Sequence, residues 1–158
     1  MSGPDKKKLD KMIWQLREGW GESTRVDAAR DLGWIGTEAA DEAVPELINA
    51  LLHDKSENVR LEAAIALQWI GSKALTAVLP LAQALQEDES EKVRERAAIV
   101  LQGLGKNVKN VVPIIELASK KDKSIHVREA AETSLAKIAE KLGYETKEQL
   151  LKDCKKAK

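Results

Sequence analysis

Phenylalanine is absent from the chain, and one tyrosine and four tryptophans are the only aromatic residues in 158. Sheet proteins draw heavily on aromatic and β-branched residues, so this shortage excludes an ordinary β-sandwich and favours helices packed through Ala, Leu and Ile. Cysteine is almost absent too. Cys154 stands alone, which rules out an intrachain disulfide and suits a reducing cytoplasm, with the thiol as a bystander. No run of about 18 apolar residues marks a membrane span, and the opening "MSGPDKKKLDK" lacks the apolar centre of a signal peptide. A soluble, cytoplasmic protein with no membrane partner is the expectation. Charge of one sign is also missing: 26 basic side chains meet 26 acidic ones. Zero net charge makes nucleic acid an unlikely partner, since such proteins need a basic field. The halves differ, with 10 basic and 13 acidic residues over 1–79 (−3) and 16 and 13 over 80–158 (+3).

Reaction chemistry has no visible carrier. His53 and His126 fall beside inter-helix loops, neither has a second His at helical spacing, and no His-Glu dipeptide occurs, so neither a metal nor another cofactor is expected. A phosphate-binding Gly-rich loop and a nucleophile elbow are likewise missing, and no catalytic residue can be named.

What the chain does contain is a repeat. "TRVDAARDLGWIG", "VRLEAAIALQWIG", "VRERAAIVLQGLG" and "VREAAETSLAKIA" align on Arg25, Arg60, Arg94 and Arg128, which are 35, 34 and 34 residues apart. Counting from the arginine, Ala stands at +3, usually Ala at +4, Leu at +7 and Ile or Leu at +10. Gly stands at +11 in three copies, as Gly36, Gly71 and Gly105. Spacings of 3, 4 and 7 define one helix face. The alanines let a second helix approach, and the glycines are expected to end the helices with left-handed caps. Ser56, Ser90 and Ser124 stand four residues before their arginines, where an N-cap belongs. Between these helices, Pro45, Pro80 and Pro113 open or kink a second set, and "DKMIWQL" supplies the first helix of the first pair. Thr146 and Gln149 have capping-box spacing before Leu150 and Leu151, predicting a short closing helix.

The expected fold is therefore all-α: a right-handed α-solenoid of four helix pairs in a single domain over 1–158. The repeats fall near 5–36, 37–71, 72–105 and 106–143, followed by a capping helix near 146–156. The pattern V-R-x-x-A-A-x-x-L-x-x-[IL]-G resembles HEAT repeats, and more closely the short HEAT-like repeats of phycobilin-lyase subunits. The resemblance implies a ladder in which Asp54, Asp88 and Asp122, six residues before Arg60, Arg94 and Arg128, pair with these arginines between repeats. It also implies a structural role for that set. Gly19 stands at the matching place before Arg25, so the first repeat departs from the pattern.

Function is sought on the second helices, at +1, +2, +5 and +9, which point away from the buried stripe. These positions bring Trp34, Leu61, Ile65, Trp69 and Ile99 onto one face, expected to be concave, with Arg30, Glu62, Arg96 and Glu95 at its edges. Such an apolar patch has the look of a groove for a protein or peptide partner. Neighbouring helices or a second copy, in a homodimer through Trp34 and Trp69, are the alternative cover. Trp14 is read as part of the first helix's apolar stripe, and Trp20 as a lid on the first core. Three functions follow in order: a non-catalytic interaction scaffold, a subunit or accessory of a lyase-type enzyme, and a DNA-binding protein using Trp34, Trp69, Asp27 and Asp31.

Overall fold

The structure is a computed structural model that describes residues 5–156, with the backbone alone at 105 and 106. Among the described residues there are nine α-helices and no strand. They are α1 (Lys6–Glu18), α2 (Glu22–Ile35), α3 (Ala40–His53), α4 (Glu57–Ile70), α5 (Val78–Glu87), α6 (Glu91–Leu101), α7 (Val112–Lys121), α8 (Ile125–Lys141) and α9 (Lys147–Lys156). The chain divides into two compact units at Pro80 and Leu81, within α5.

In the first unit α1 packs on α2, α3 on α4, and α2 on α4. Its core is Leu32, Leu47, Leu51, Leu67 and Ile70, all at or below 2% exposure, with Ala28, Ala29, Ala63 and Ala64 letting the backbones approach. Each such leucine contributes about 1.5–3 kcal/mol by leaving water. In the second unit α7 packs on α8, α8 on α6, and α9 on both α7 and α8. Leu101, Leu104, Ile115, Leu135 and Ile138 fill that core.

The helix boundaries have local causes. Ser56 and Ser90 accept from the backbone N–H of Val59 and Val93, each at 3.4 Å, as N-caps should. Ser124 does not: it is buried, its hydroxyl has no partner, and α8 starts without a side-chain cap. Gly36 and Gly71 end α2 and α4 with φ of 66° and 64°, as expected. Their ψ of −135° and −128° lies outside the left-handed helical region, in a region glycine alone visits cheaply. Gly105 does not end α6. That helix stops at Leu101, four residues earlier, and Gly105 opens the next segment.

Three of the connections are 3-10 helices, over Gly36–Ala39, Gly71–Ala77 and Gly105–Val111. Residues Glu57–Glu87 are collectively long and apolar enough to cross a membrane. Here, however, they break at Gly71 and run through the second of these segments before α5. Pro113 stands in the first turn of α7, whereas Pro45 lies inside α3. The closing helix forms as predicted: Thr146 Oγ1 accepts from the Gln149 N–H at 3.3 Å. The Gln149 side chain accepts in turn from the Glu145 N–H at 3.0 Å, one residue before the expected partner. Leu150 is fully buried, and Lys109 ties the helix down through Asp153 at 2.7 Å and the Tyr144 hydroxyl at 2.9 Å.

Candidate partner-binding face

Arg25 and Arg94 are buried and paired with carboxylates. Arg25 is 6% exposed and donates through Nε and Nη2 to Asp54 at 2.7 and 3.0 Å, and through Nη1 to the Gly19 carbonyl at 3.0 Å. Arg94 repeats this with Asp122 at 2.8 and 3.0 Å and with the Asp88 carbonyl at 2.9 Å. Asp54 and Asp122 thus each pair with the arginine of the preceding helix pair, while the arginine six residues later takes the carbonyl. Arg60 reaches the Asp54 carbonyl at 3.0 Å and Arg128 the Asp122 carbonyl at 2.7 Å. Asp54, Asp88 and Asp122 also accept the N–H of the serine two residues on, each at 2.8 Å. Gly19 keeps the carbonyl and lacks only the carboxylate, which would serve an arginine further back. Burial pushes the Asp122 carboxyl up, but Arg94 and the Ser124 backbone N–H hold it below its ordinary value.

The face of α2 and α4 opposite this core carries the tryptophans. Trp34 is 72% exposed and Trp69 47%. Their rings meet edge to face, with centroids 5.6 Å apart and planes at 63°. Gly33 makes that approach possible: a Cβ there would lie 2.8 Å from both Ala66 Cα and Ala66 Cβ, and 3.1 Å from Trp69 Cε3. The repeat pattern alone does not single out Gly33. Its signal was a glycine at +8, where the next two copies carry Gln68 and Gln102.

Below the rings, Arg30 Nε and Nη2 bridge the helices to Glu62 at 3.2 and 3.4 Å, and Arg30 Nη1 holds Asp27 at 3.0 Å. Leu61 and Ile65 are half-buried beside Glu62. Ile99 and Arg96 are half-buried on α6, in the second unit. There Glu95 and Ile99 of α6, with Gln102 just past its end, line a concavity of about 320 Å³ with His126, Glu129, Thr133 and Lys137 of α8.

The other two tryptophans depart from expectation. Trp14 is 57% exposed because the stripe of α1 is Leu9, Met12 and Leu16, and two residues past Met12 turns the side chain about 200° away. Trp20, in the turn before α2, is 98% exposed and covers no core. Both line a concavity of about 550 Å³ with Asp10, Ile13, Arg17 and Glu18. Ile35, expected in the buried stripe, is only half-buried. Among the described residues, no three His, Cys, Asp or Glu side chains are grouped to hold a metal ion, and His53 and His126 are both exposed.

The pattern that describes HEAT repeats matches residues 9–80 and again 78–157. The chain belongs to the HEAT-repeat family. Among solved structures, this HEAT-repeat protein is similar to the complex of CpcE and CpcF of phycocyanin lyase from Nostoc sp. PCC7120. The match has 20% identity and a TM-score of 0.69, and it covers 94% of this chain and 89% of that one. The overlay shows a shared helical-repeat fold, and at this identity the fold alone. No curated protein sequence matches the chain.

Proposed function

We propose that this HEAT-repeat protein is a non-catalytic adaptor that binds a peptide, helix or protein surface on the face of its second helices. Trp34 and Trp69 are the anchors. One observation carries the reading: two indoles stand exposed and in mutual contact at a repeat position where the other copies have Gly103 and Lys137. The repeat therefore does not need an aromatic there, and clustered tryptophans on rigid helices supply much contact area for little lost side-chain entropy. Leu61 and Ile65 extend the apolar surface on α4. Arg30 and Glu62 set register more than affinity. The cytoplasm, suggested by the lone Cys154, is the compartment we assign.

The test is capture from the source cell with wild-type bait and with Trp34→Lys/Trp69→Lys bait, followed by rebinding of each purified candidate. Because both rings are largely exposed, the double substitution should change unfolding free energy by less than about 1 kcal/mol while removing the specific partner. If the variant unfolds, the rings belong to the core and the adaptor reading fails. Sedimentation of the same two proteins tests the homodimer: a wild-type dimer that the substitution dissolves would make the partner a second copy.

A second reading, a subunit of a lyase-type enzyme, draws on the overlay with the phycocyanin-lyase complex along nearly the whole chain. Adding a bilin to the purified protein, alone and with candidate partner subunits, tests it; the absence of any absorbance shift removes it.

A further inference from the structure

We infer that the Trp34–Trp69 face takes a cationic side chain, an arginine or lysine carried on a basic peptide segment of the partner. This rests on the reading of that face as the partner-binding surface and names the chemistry it selects.

The edge-to-face arrangement, with planes at 63° and Trp34 mostly exposed, leaves indole faces open to solvent. An indole face is the electron-rich part of the ring and attracts a cation within about 6 Å of its centre. The charges around the pair have the matching sign. On α2 and α4 they are Asp27, Asp31 and Glu62 against Arg30 alone. Arg30 is already held by Asp27 at 3.0 Å and by Glu62 at 3.2 Å, so it belongs to the frame of the site. Asp31 stands exposed one turn before Trp34 and forms no ion pair among the described residues. Glu38 and Lys73, in the 3-10 segments that follow the two helices, offset each other in charge. The first unit as a whole, over residues 5–80, carries 13 acidic and 10 basic side chains, which favours the approach of a basic partner.

Of the two cations, the guanidinium fits the first unit better. It is planar, stacks on an indole, and leaves its edge free to donate to a carboxylate such as that of Asp31.

Three fluorescein-labelled decapeptides test this, alternating leucine with arginine, with citrulline or with glutamate. Binding is read by fluorescence polarisation against wild type, Trp34→Ala/Trp69→Ala and Asp31→Asn. The arginine peptide should bind wild type about 10-fold more tightly than the citrulline peptide, which has the same shape without the charge. The tryptophan variant should lose most of that preference, and Asp31→Asn about 3-fold. If citrulline or glutamate peptides bind as tightly and still depend on the tryptophans, the cation inference is overturned and the adaptor face stands. If the arginine peptide binds the tryptophan variant unchanged, both fall. If it does not bind wild type at up to about 1 mM, the cation inference alone is overturned.

Discussion

Replacing Gly33 by alanine should destabilise the protein, although the same change in an open helix does the reverse. Gly33 lies within α2, near its C-terminus, in ordinary helical surroundings, and alanine there gains about 1 kcal/mol of helix propensity. Against this, the new Cβ would sit 2.8 Å from Ala66 Cα, a backbone atom, and 2.8 Å from Ala66 Cβ. Carbon atoms rest at about 3.5–4.0 Å, so α2 and α4 must separate by most of an ångström. Trp69 Cε3, at 3.1 Å, must give as well. Overpacking of this size costs about 1–3 kcal/mol. Taking about 2 kcal/mol for the clash and about 1 kcal/mol for the propensity, the net loss is about 1 kcal/mol, or a melting point lower by about 2–4 °C for a chain of this length. Thermal and urea unfolding followed by far-UV circular dichroism measures it. The near-UV signal of the coupled indoles should weaken in the folded variant. A variant more stable than wild type by about 1 kcal/mol would mean that propensity acts alone and the two helices do not touch there.

Three further predictions rest on single contacts. Asp122→Asn should cost about 2–4 kcal/mol by leaving the buried Arg94 guanidinium without its counter-charge. Because the folded Asp122 carboxyl lies below its ordinary value of 3.8, the wild-type contribution is complete above that value and is lost as pH falls through the folded one. Acid titration of stability should therefore be shallower in Asp122→Asn, and an unchanged slope would refute the pairing. Gly21 stands where the later copies have Ser56, Ser90 and Ser124; its φ of −104° and ψ of 148° suit any residue, and it offers no cap. Gly21→Ser should stabilise by about 0.5–1 kcal/mol, checked by urea unfolding, through the new cap and a stiffer unfolded chain. Burial pushes the Cys154 thiol up against the opposing charge of Lys109, so iodoacetamide at pH 8 should alkylate it at least about 5-fold more slowly than free cysteine. Urea should abolish the difference, and equal rates in the folded protein would show an open thiol.

The helix pairs were legible because the repeat restates its instructions. An arginine, two alanines, a leucine and a glycine at constant offsets set the register of each second helix and its buried face. Legibility failed where a residue's fate depends on a neighbour rather than on its own class. Hydrophobicity alone places Trp14 in a stripe, whereas rotation about α1 decides the matter in favour of Leu9, Met12 and Leu16. Trp20 looked like a lid only because a tryptophan in a turn commonly is one. Gly105 looked like a stop because its position is right in the alignment, yet α6 had ended at Leu101. Ser124 holds the N-cap position without the bond, since position does not fix a hydroxyl's rotamer. In the site, the offset of Trp34 and Trp69 turns them away from the buried stripe but does not say whether a neighbouring helix covers them, and the structure leaves them exposed. Their mutual contact does not follow from the offset either, because it depends on how closely α2 approaches α4.

That approach bears on why the tryptophans are there. A glycine inside α2 weakens the helix by about 1 kcal/mol, so its presence needs a reason. Close packing of helix pairs is not sufficient, because at the same two offsets the α6/α8 pair carries Gln102 and Ser134 where α2 and α4 carry Gly33 and Ala66. What distinguishes the first pair is the indole lying across that glycine. With any side chain at 33, Trp69 Cε3 would meet it at 3.1 Å or less and the ring would be displaced from Trp34. The glycine and both tryptophans therefore act as one arrangement, in which a weaker helix fixes two aromatic rings side by side in water. Folding gains little from rings that stay this exposed, and a second helix takes glycine or lysine at the same offset without them. The cost to α2 is consistent with a role outside the fold, in whatever seats on the rings.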